Sequence, residues 1–327
     1  MRILLWHVHG SWTTAFVQGT HEYLVPLVPD RGPDGRGRAR TYPWPGTVRE
    51  VPWDRLGDEE VDLVVLQRPH ELDLAGRWLR RRPGRDVPAV YVEHNAPPGD
   101  VPRTRHPLAE RDDIPLVHVT HFNELFWDSG RAPALVVEHG VVDPGHRYTG
   151  ELPRVGVVVN EPVRRERVAG TDLLPRFAAA APLDVFGMKV TGLPDLLGVT
   201  AGTFEDMPQR AMHTELARRR VYLHPYRWTS LGLSLIEAMT LGMPVVALAT
   251  TEAVEAVPPE AGVISTRVAT LTDALRAFVA DPVLARRSGE AARAAALARY
   301  GLGRFLSDWD RVFALATDDM AGAGSRR

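Results

Sequence analysis

Short apolar runs alternate with helical periodicity along this chain, and the alternation stops once and starts again. Arg2–Val8, Asp62–Gln67, Ala89–His94, Pro115–Val119 and Ala134–Glu138 are rich in Val, Leu and Ile, the pattern of strands buried on both faces of a parallel sheet. Between them, His70–Arg82 and Phe122–Gly130 carry helical periodicity, the second closing on a glycine suited to a helix end. Pro29–Pro45, dense in Gly, Pro and Arg, reads as a loop, and Val141–Pro153 as a linker. The alternation resumes with strands predicted at Val155–Asn160, Leu183–Gly187, Val221–His224 and Pro244–Leu248. Helices are predicted near Thr171–Ala181, Pro208–Arg220, Leu231–Leu241, Ala269–Ala280 and Pro282–Tyr300, with a last amphipathic stretch at Arg304–Ala316 and a fraying tail from Thr317. Two such series dictate an α/β fold of two doubly wound, Rossmann-like domains, expected at 1–146 and 147–327. In open sheets of this kind ligands sit beyond the carboxyl ends of the strands, so the cleft between the domains is the expected site.

Composition removes several chemistries. Lys189 is the only lysine and is followed by Val190, which excludes a P-loop and leaves one candidate for Schiff-base chemistry. With no cysteine, disulfides, thiolate nucleophiles and Cys-ligated zinc are impossible. Acidic residues number 41 against 39 basic ones, so no global field favours nucleic acid. The apolar start is too short for a signal peptide and no run reaches the ~18–20 apolar residues of a membrane span; a soluble cytoplasmic protein is expected. His7 with His9, and His118 with His121, lack convergent carboxylates, so no metal is expected.

The segment from Tyr222 to Ala247 is strand, loop, helix, tight turn, strand. Thr229 or Ser230 caps a helix expected to begin near Leu231, and Gly242-Met243-Pro244 ends it. Backbone N–H groups at Ser230, Leu231, Gly232 and Leu233, with the helix dipole behind them, suit a diphosphate. Glu237, about six residues and ~9 Å further along, is placed to accept two hydrogen bonds from a ribose diol.

These residues resemble the retaining nucleotide-sugar glycosyltransferases of the GT-B fold, in the large family-four group. That family reads Glu, then Gly/Ser-Phe-Gly-aliphatic, then Glu-Ala-Met before a Gly-X-Pro-Val-Val-Ala turn. Glu237 matches the ribose-binding second Glu, and Ser230-Leu231-Gly232-Leu233 the phosphate turn. The first Glu, which contacts the donor sugar, falls at Thr229, keeping a hydroxyl but losing the charge. Leu135–Asp143 resembles the family's interdomain segment, and the last helices its C-terminal pattern, in which the final helix crosses back to the first domain.

The resemblance implies further site residues. The family's diphosphate-binding Arg and Lys-Gly fall in Asn160–Gly170, where Ala169 stands at the lysine position and Arg164, Arg165 or Arg167 would take the role. Lys189 is a second possible source of that charge, and Met207 falls where an apolar residue meets the nucleobase. In the first domain Gly10, Ser11 and Trp12 follow the first strand near the reaction centre; His94 is expected beside the donor sugar, with Asn95 next to it, and His121 and Asn123 on the acceptor side. His94, Arg164 and Thr229 are the residues expected at the chemistry.

The implied activity is metal-independent, retaining transfer of a sugar from a nucleotide diphosphate donor to an acceptor hydroxyl, with no cofactor. Two alternatives share the fold: a GT-B-like epimerase or pseudo-glycosyltransferase, and a degenerate, non-catalytic binding partner. The apparent absence of an apolar surface helix favours a small soluble acceptor over a lipid; donor base, sugar and oligomeric state stay open.

Overall fold

A computed structural model of the chain describes residues 1–324. By mutual packing these fall into two units, one of Met1–Gly140 with the chain from Leu302 on, the other of Val141–Gly301.

The first unit is a seven-stranded, all-parallel sheet. Its elements are β1 (Arg2–Leu5), α1 (Gly10–Phe16), β2 (Glu22–Leu27), β3 (Val48–Pro52), β4 (Leu63–Leu66), α2 (Glu71–Leu79), β5 (Ala89–Glu93), β6 (Leu116–His118), α3 (His121–Phe126) and β7 (Ala134–Val136). The order β3-β2-β1-β4-β5-β6-β7 reverses direction between β1 and β4. Leu63, Val64, Val65 and Leu66 are all fully buried, as a strand covered on both faces requires.

The second unit carries β8 (Leu152–Val158), α4 (Pro162–Ala169), α5 (Leu174–Ala178), β9 (Leu183–Gly187), α6 (Leu193–Leu197), β10 (Ala201–Glu205), α7 (Gln209–Leu216), β11 (Arg219–His224), α8 (Leu233–Leu241), β12 (Val245–Leu248), α9 (Ala253–Ala256), β13 (Gly262–Ser265), α10 (Val268–Ala280) and α11 (Pro282–Tyr300). Its six parallel strands run β10-β9-β8-β11-β12-β13, so the reversal lies between β8 and β11. Asp281 caps α11 by accepting from the N–H groups of Val283 and Leu284, and Pro282 pre-sets the first turn. Both sheets have the doubly wound form predicted.

The structure corrects several expected boundaries. Helix α3 stops at Phe126, because Trp127 is extended and anchors its indole N–H on the Asn95 carbonyl at 2.9 Å. Gly130, at φ +57°, instead closes a separate turn. The expected linker is packed: Tyr148 is buried and donates to the Arg220 carbonyl at 2.8 Å, while the Arg147 and Tyr148 N–H groups donate to the Leu241 carbonyl. The last helix, α12, runs Leu302–Gly324 and so includes much of the expected fraying tail, the rest of which lies outside the described residues. Within the first unit it packs Trp309 and Phe313 on Phe16. An apolar surface helix does exist: α3 leaves Leu125 76% exposed and Phe126 exposed, with the Phe122 and Phe126 rings 4.5 Å apart. That removes the argument made for a soluble acceptor. No helix among the described residues is long and apolar enough to cross a membrane.

Candidate active site

In the second unit the reversal of strand order places two loops side by side, residues 159–161 after β8 and 225–232 after β11. The second of them also packs tightly against the end of α4. Gly170 ends α4 at φ +73°, and a Cβ there would overlap the Pro225 carbonyl oxygen. The Arg227 N–H donates to the Val168 carbonyl at 3.0 Å, and the Arg227 guanidinium pairs with Asp172. Glu161 and Glu166 sit at φ +53° and +37°, conformations that cost energy for residues with side chains and persist only where the surroundings impose them.

Helix α8 begins later than expected. Gly232 is its N-cap, extended at φ −69°, and no side chain caps the helix. Thr229 and Ser230 therefore lie outside it, with Ser230 buried and its carbonyl accepting from the Glu252 N–H. Because the helix starts at Leu233, Glu237 stands about 6 Å up the axis, closer to the turn than expected. A Cβ at Gly232 would sit 2.5 Å from Cε1 of His224, so only glycine lets the turn lie against that ring. Burial drives the His224 imidazole down to about 3, with Arg165 adding to the effect, so the ring is neutral at pH 7.

The three arginines expected at the diphosphate have different surroundings, and Arg165 lies over Tyr226. Its guanidinium lies 5.1 Å from the centre of the Tyr226 ring, and among the described residues it pairs with no carboxylate. Burial raises the Tyr226 phenol while Arg165 opposes that shift. Arg164 and Lys189 are instead gathered on Glu161, at 2.5 and 2.7 Å, and hold its carboxyl down to about 2. Arg167 pairs with Asp172 at 3.2 Å. Lys189 itself has φ +59°, and its N–H donates to Glu205, which also accepts from the Val190 and Thr191 N–H groups. Met207 packs against the core of this unit, and Thr229 is half-buried.

Glu237 is 6% exposed on α8. Gln209 donates to its Oε1 at 2.9 Å, and Nε2 of His213 lies 3.4 Å from its Oε2. Neither partner was anticipated from the sequence, although Gln209 and His213 stand four apart, the spacing that places two residues on one helix face.

The first-unit candidates separate into surface and core. Trp12 is fully buried among Phe16, Phe305 and Trp309, so it is a core residue and does not touch an acceptor. Asn123 is also buried: its amide donates to the Glu93 carbonyl, and its N–H to the Thr120 cap. Gly10 and Ser11 face Tyr42, which the predicted loop supplies; its ring would meet a Cβ at Gly10 at 2.5 Å, and its hydroxyl is 3.5 Å from Ser11 Oγ. Asn95 is exposed and tied through N–H and side-chain amide to Glu93, while His121 is exposed at the start of α3. His94 meets His9 at 4.1 Å and the edge of Trp12 at 4.8 Å between ring centres. Among the described residues no group of three or more His, Asp or Glu is arranged to hold a metal ion.

Burial lowers His94 far below its usual value, aided by His9 and His139; it takes His139 down to about 3, and His118 to about 4. In the unfolded chain each imidazole takes up a proton near pH 6.5, whereas in the folded chain it does so only near the lowered value. Native stability is therefore greatest above pH 6.5 and falls as the pH drops below it, at about 1.4 kcal/mol per pH unit for each such group. Urea unfolding is expected to show a clearly less stable protein at pH 5 than at pH 7. Equal stability at the two would mean these rings are solvated or protonated in the fold.

Residues 202–295 match the family model for glycosyl transferases group 1. The matched stretch lies within the second unit and runs from β10 into α11. No curated protein matches it by sequence. Among solved structures it is similar to sucrose-phosphate synthase from Thermosynechococcus elongatus, at 14% identity and a TM-score of 0.69, covering 96% of this chain and 98% of that one. It is equally similar to HepE from Anabaena in complex with UDP and glucose, at 17% identity and a TM-score of 0.69, covering 96% and 99%. TarM from S. aureus matches with a TM-score of 0.62 and 14% identity over 77% of this chain, which spans only 55% of that protein's length. These likenesses establish the GT-B fold for the chain.

Proposed function

We propose that the chain transfers a sugar from a nucleotide diphosphate donor to an acceptor hydroxyl, with retention of configuration and without a metal. The observation that carries this is the grouping, at the β8/β11 reversal, of an uncapped helix start, Gly232, a carboxylate-free Arg165 and the buried Glu237. The helix start and Arg165 stabilise the leaving diphosphate, an electrostatic task that needs no protein nucleophile. Glu237 holds the ribose. That HepE was solved with UDP on the same fold supports the donor class.

Incubation with labelled nucleotide-sugars and a chelator tests the reaction. A glycoside with the donor's anomeric configuration is expected; an inverted glycoside contradicts retention, and turnover lost to the chelator contradicts metal independence. Arg165→Ala is expected to weaken nucleoside diphosphate binding about tenfold while leaving the bare nucleoside unchanged. Arg164→Ala, whose guanidinium is held by Glu161, is expected to cost much less; the reverse order would show that Arg164 carries the phosphate role.

A second reading is a binding partner that has kept the fold without the chemistry. Thr229 in place of an acidic residue, and Arg164 and Lys189 drawn onto Glu161, favour it. Thermal stabilisation by nucleotide without any product would support that reading, and an epimerised nucleotide-sugar would identify an epimerase.

A further inference from the structure

We propose that Gln209 and His213 are positioning residues that set the plane of the Glu237 carboxylate for a ribose diol, an inference that rests on the donor-site reading above. The terminal torsion of a glutamate is soft, so a lone carboxylate on a helix presents its oxygens over a wide range of angles. Here each oxygen has a neighbour from the same helix, α7. The Gln209 side-chain N–H donates to Oε1 at 2.9 Å, and Nε2 of His213 stands 3.4 Å from Oε2. Residues four apart share a helix face, so successive turns of α7 set a hydrogen bond on one oxygen and a close imidazole nitrogen beside the other. Leu216, one turn beyond His213, is buried and seats that helix.

Packing alone does not account for these residue types. His213 is 4% exposed, and an imidazole so placed costs free energy unless it meets a polar partner. Buried polar pairs are often replaced by apolar residues at little loss, so stability gives no reason to keep histidine, glutamine and glutamate together here. Orientation does. Two hydrogen bonds from adjacent ribose hydroxyls need both carboxylate oxygens aimed at once, and a misplacement of about 1 Å forfeits much of such an interaction. The arrangement also ties the loop before α7, which holds Met207, to the helix that carries Glu237.

The test uses the full chain and calorimetry with UDP, GDP and ADP, taking the tightest binder and its dideoxyribose counterpart. The ratio of the two affinities reads how well Glu237 engages the diol. Gln209→Leu and His213→Leu are each expected to reduce that ratio about three- to tenfold, while affinity for the dideoxy nucleotide stays the same. His213→Gln, which returns a donor near Nε2, is expected to restore most of it. In the Glu237→Ala background, Gln209→Leu is expected to change nothing further, because it acts through the missing carboxylate. Gln209 is half-buried on the first turn of α7, so its variant gives an answer even where His213→Leu fails to fold. If Glu237→Ala collapses the ratio but neither leucine variant moves it, the positioning role is wrong and the donor site stands. If Glu237→Ala itself leaves the ratio unchanged, the donor-site reading falls and this inference with it.

Discussion

Glu237→Ala is expected to weaken nucleoside diphosphate binding by roughly 100-fold while the chain stays folded. Two hydrogen bonds to a carboxylate, each worth ~1.5 kcal/mol or more, account for that loss at about 1.4 kcal/mol per factor of ten. The variant has a side effect that must be separated from it. Gln209 loses its acceptor and the buried His213 loses the carboxylate 3.4 Å away, and an unsatisfied buried polar group costs about 1–3 kcal/mol. A lower melting midpoint is therefore expected alongside weaker binding, so affinity has to be measured well below that midpoint. Glu237→Gln keeps the shape and one acceptor oxygen and should fall between the two. Unchanged affinity in the alanine variant would remove the nucleotide from α8.

Gly170→Ala is expected to damage fold and site together. The residue sits at φ +73°, where a side chain is strained, and its Cβ would overlap the Pro225 carbonyl. Backbone on both sides leaves no flexible group to give way. A loss of about 2–4 kcal/mol follows from the two costs combined, or a fall of about 5–10 °C in the midpoint for a unit of this size. Helix α4, which Gly170 ends, carries Arg165, so nucleoside diphosphate affinity should drop even at temperatures where the variant is folded. Gly76→Ala, a helical glycine with no atom near its Cβ, is the control and should leave affinity unchanged while holding or slightly raising the midpoint. A Gly170→Ala protein with native melting and native affinity would mean the end of α4 and the loop after β11 are not locked as described.

The doubly wound form was legible because the central strands bury both faces and must be continuously apolar. Strands without that constraint escaped. β3, at a sheet edge, puts charged Arg49 and Glu50 between buried Val48 and Val51, and β10, Ala-Gly-Thr-Phe-Glu, is an edge with no fully buried residue. β13 is also an edge, with every residue only half-buried. β2 is well buried but contains Pro26, a residue that argues against a strand when read in sequence. The turn into α8 was legible as strand, loop and helix because Gly and Pro punctuate its apolar pattern, although α8 begins two residues later than expected. What pattern could not give was pairing across the chain. Three arginines in one short helix look alike until Glu161, Asp172 and Tyr226 are placed beside them. Trp12 read as a surface candidate because the aromatic residues that bury it come from α12, nearly 300 residues away.

Backbone hydrogen exchange with saturating nucleoside diphosphate tests the central assignment most directly. The account predicts slowed exchange in two segments of the second unit, the start of α8 around Gly232–Leu235 and the Arg165-bearing helix α4, with the first-unit sheet unchanged. Nucleotide that binds yet protects only first-unit amides, or leaves the start of α8 exchanging as before, would contradict it.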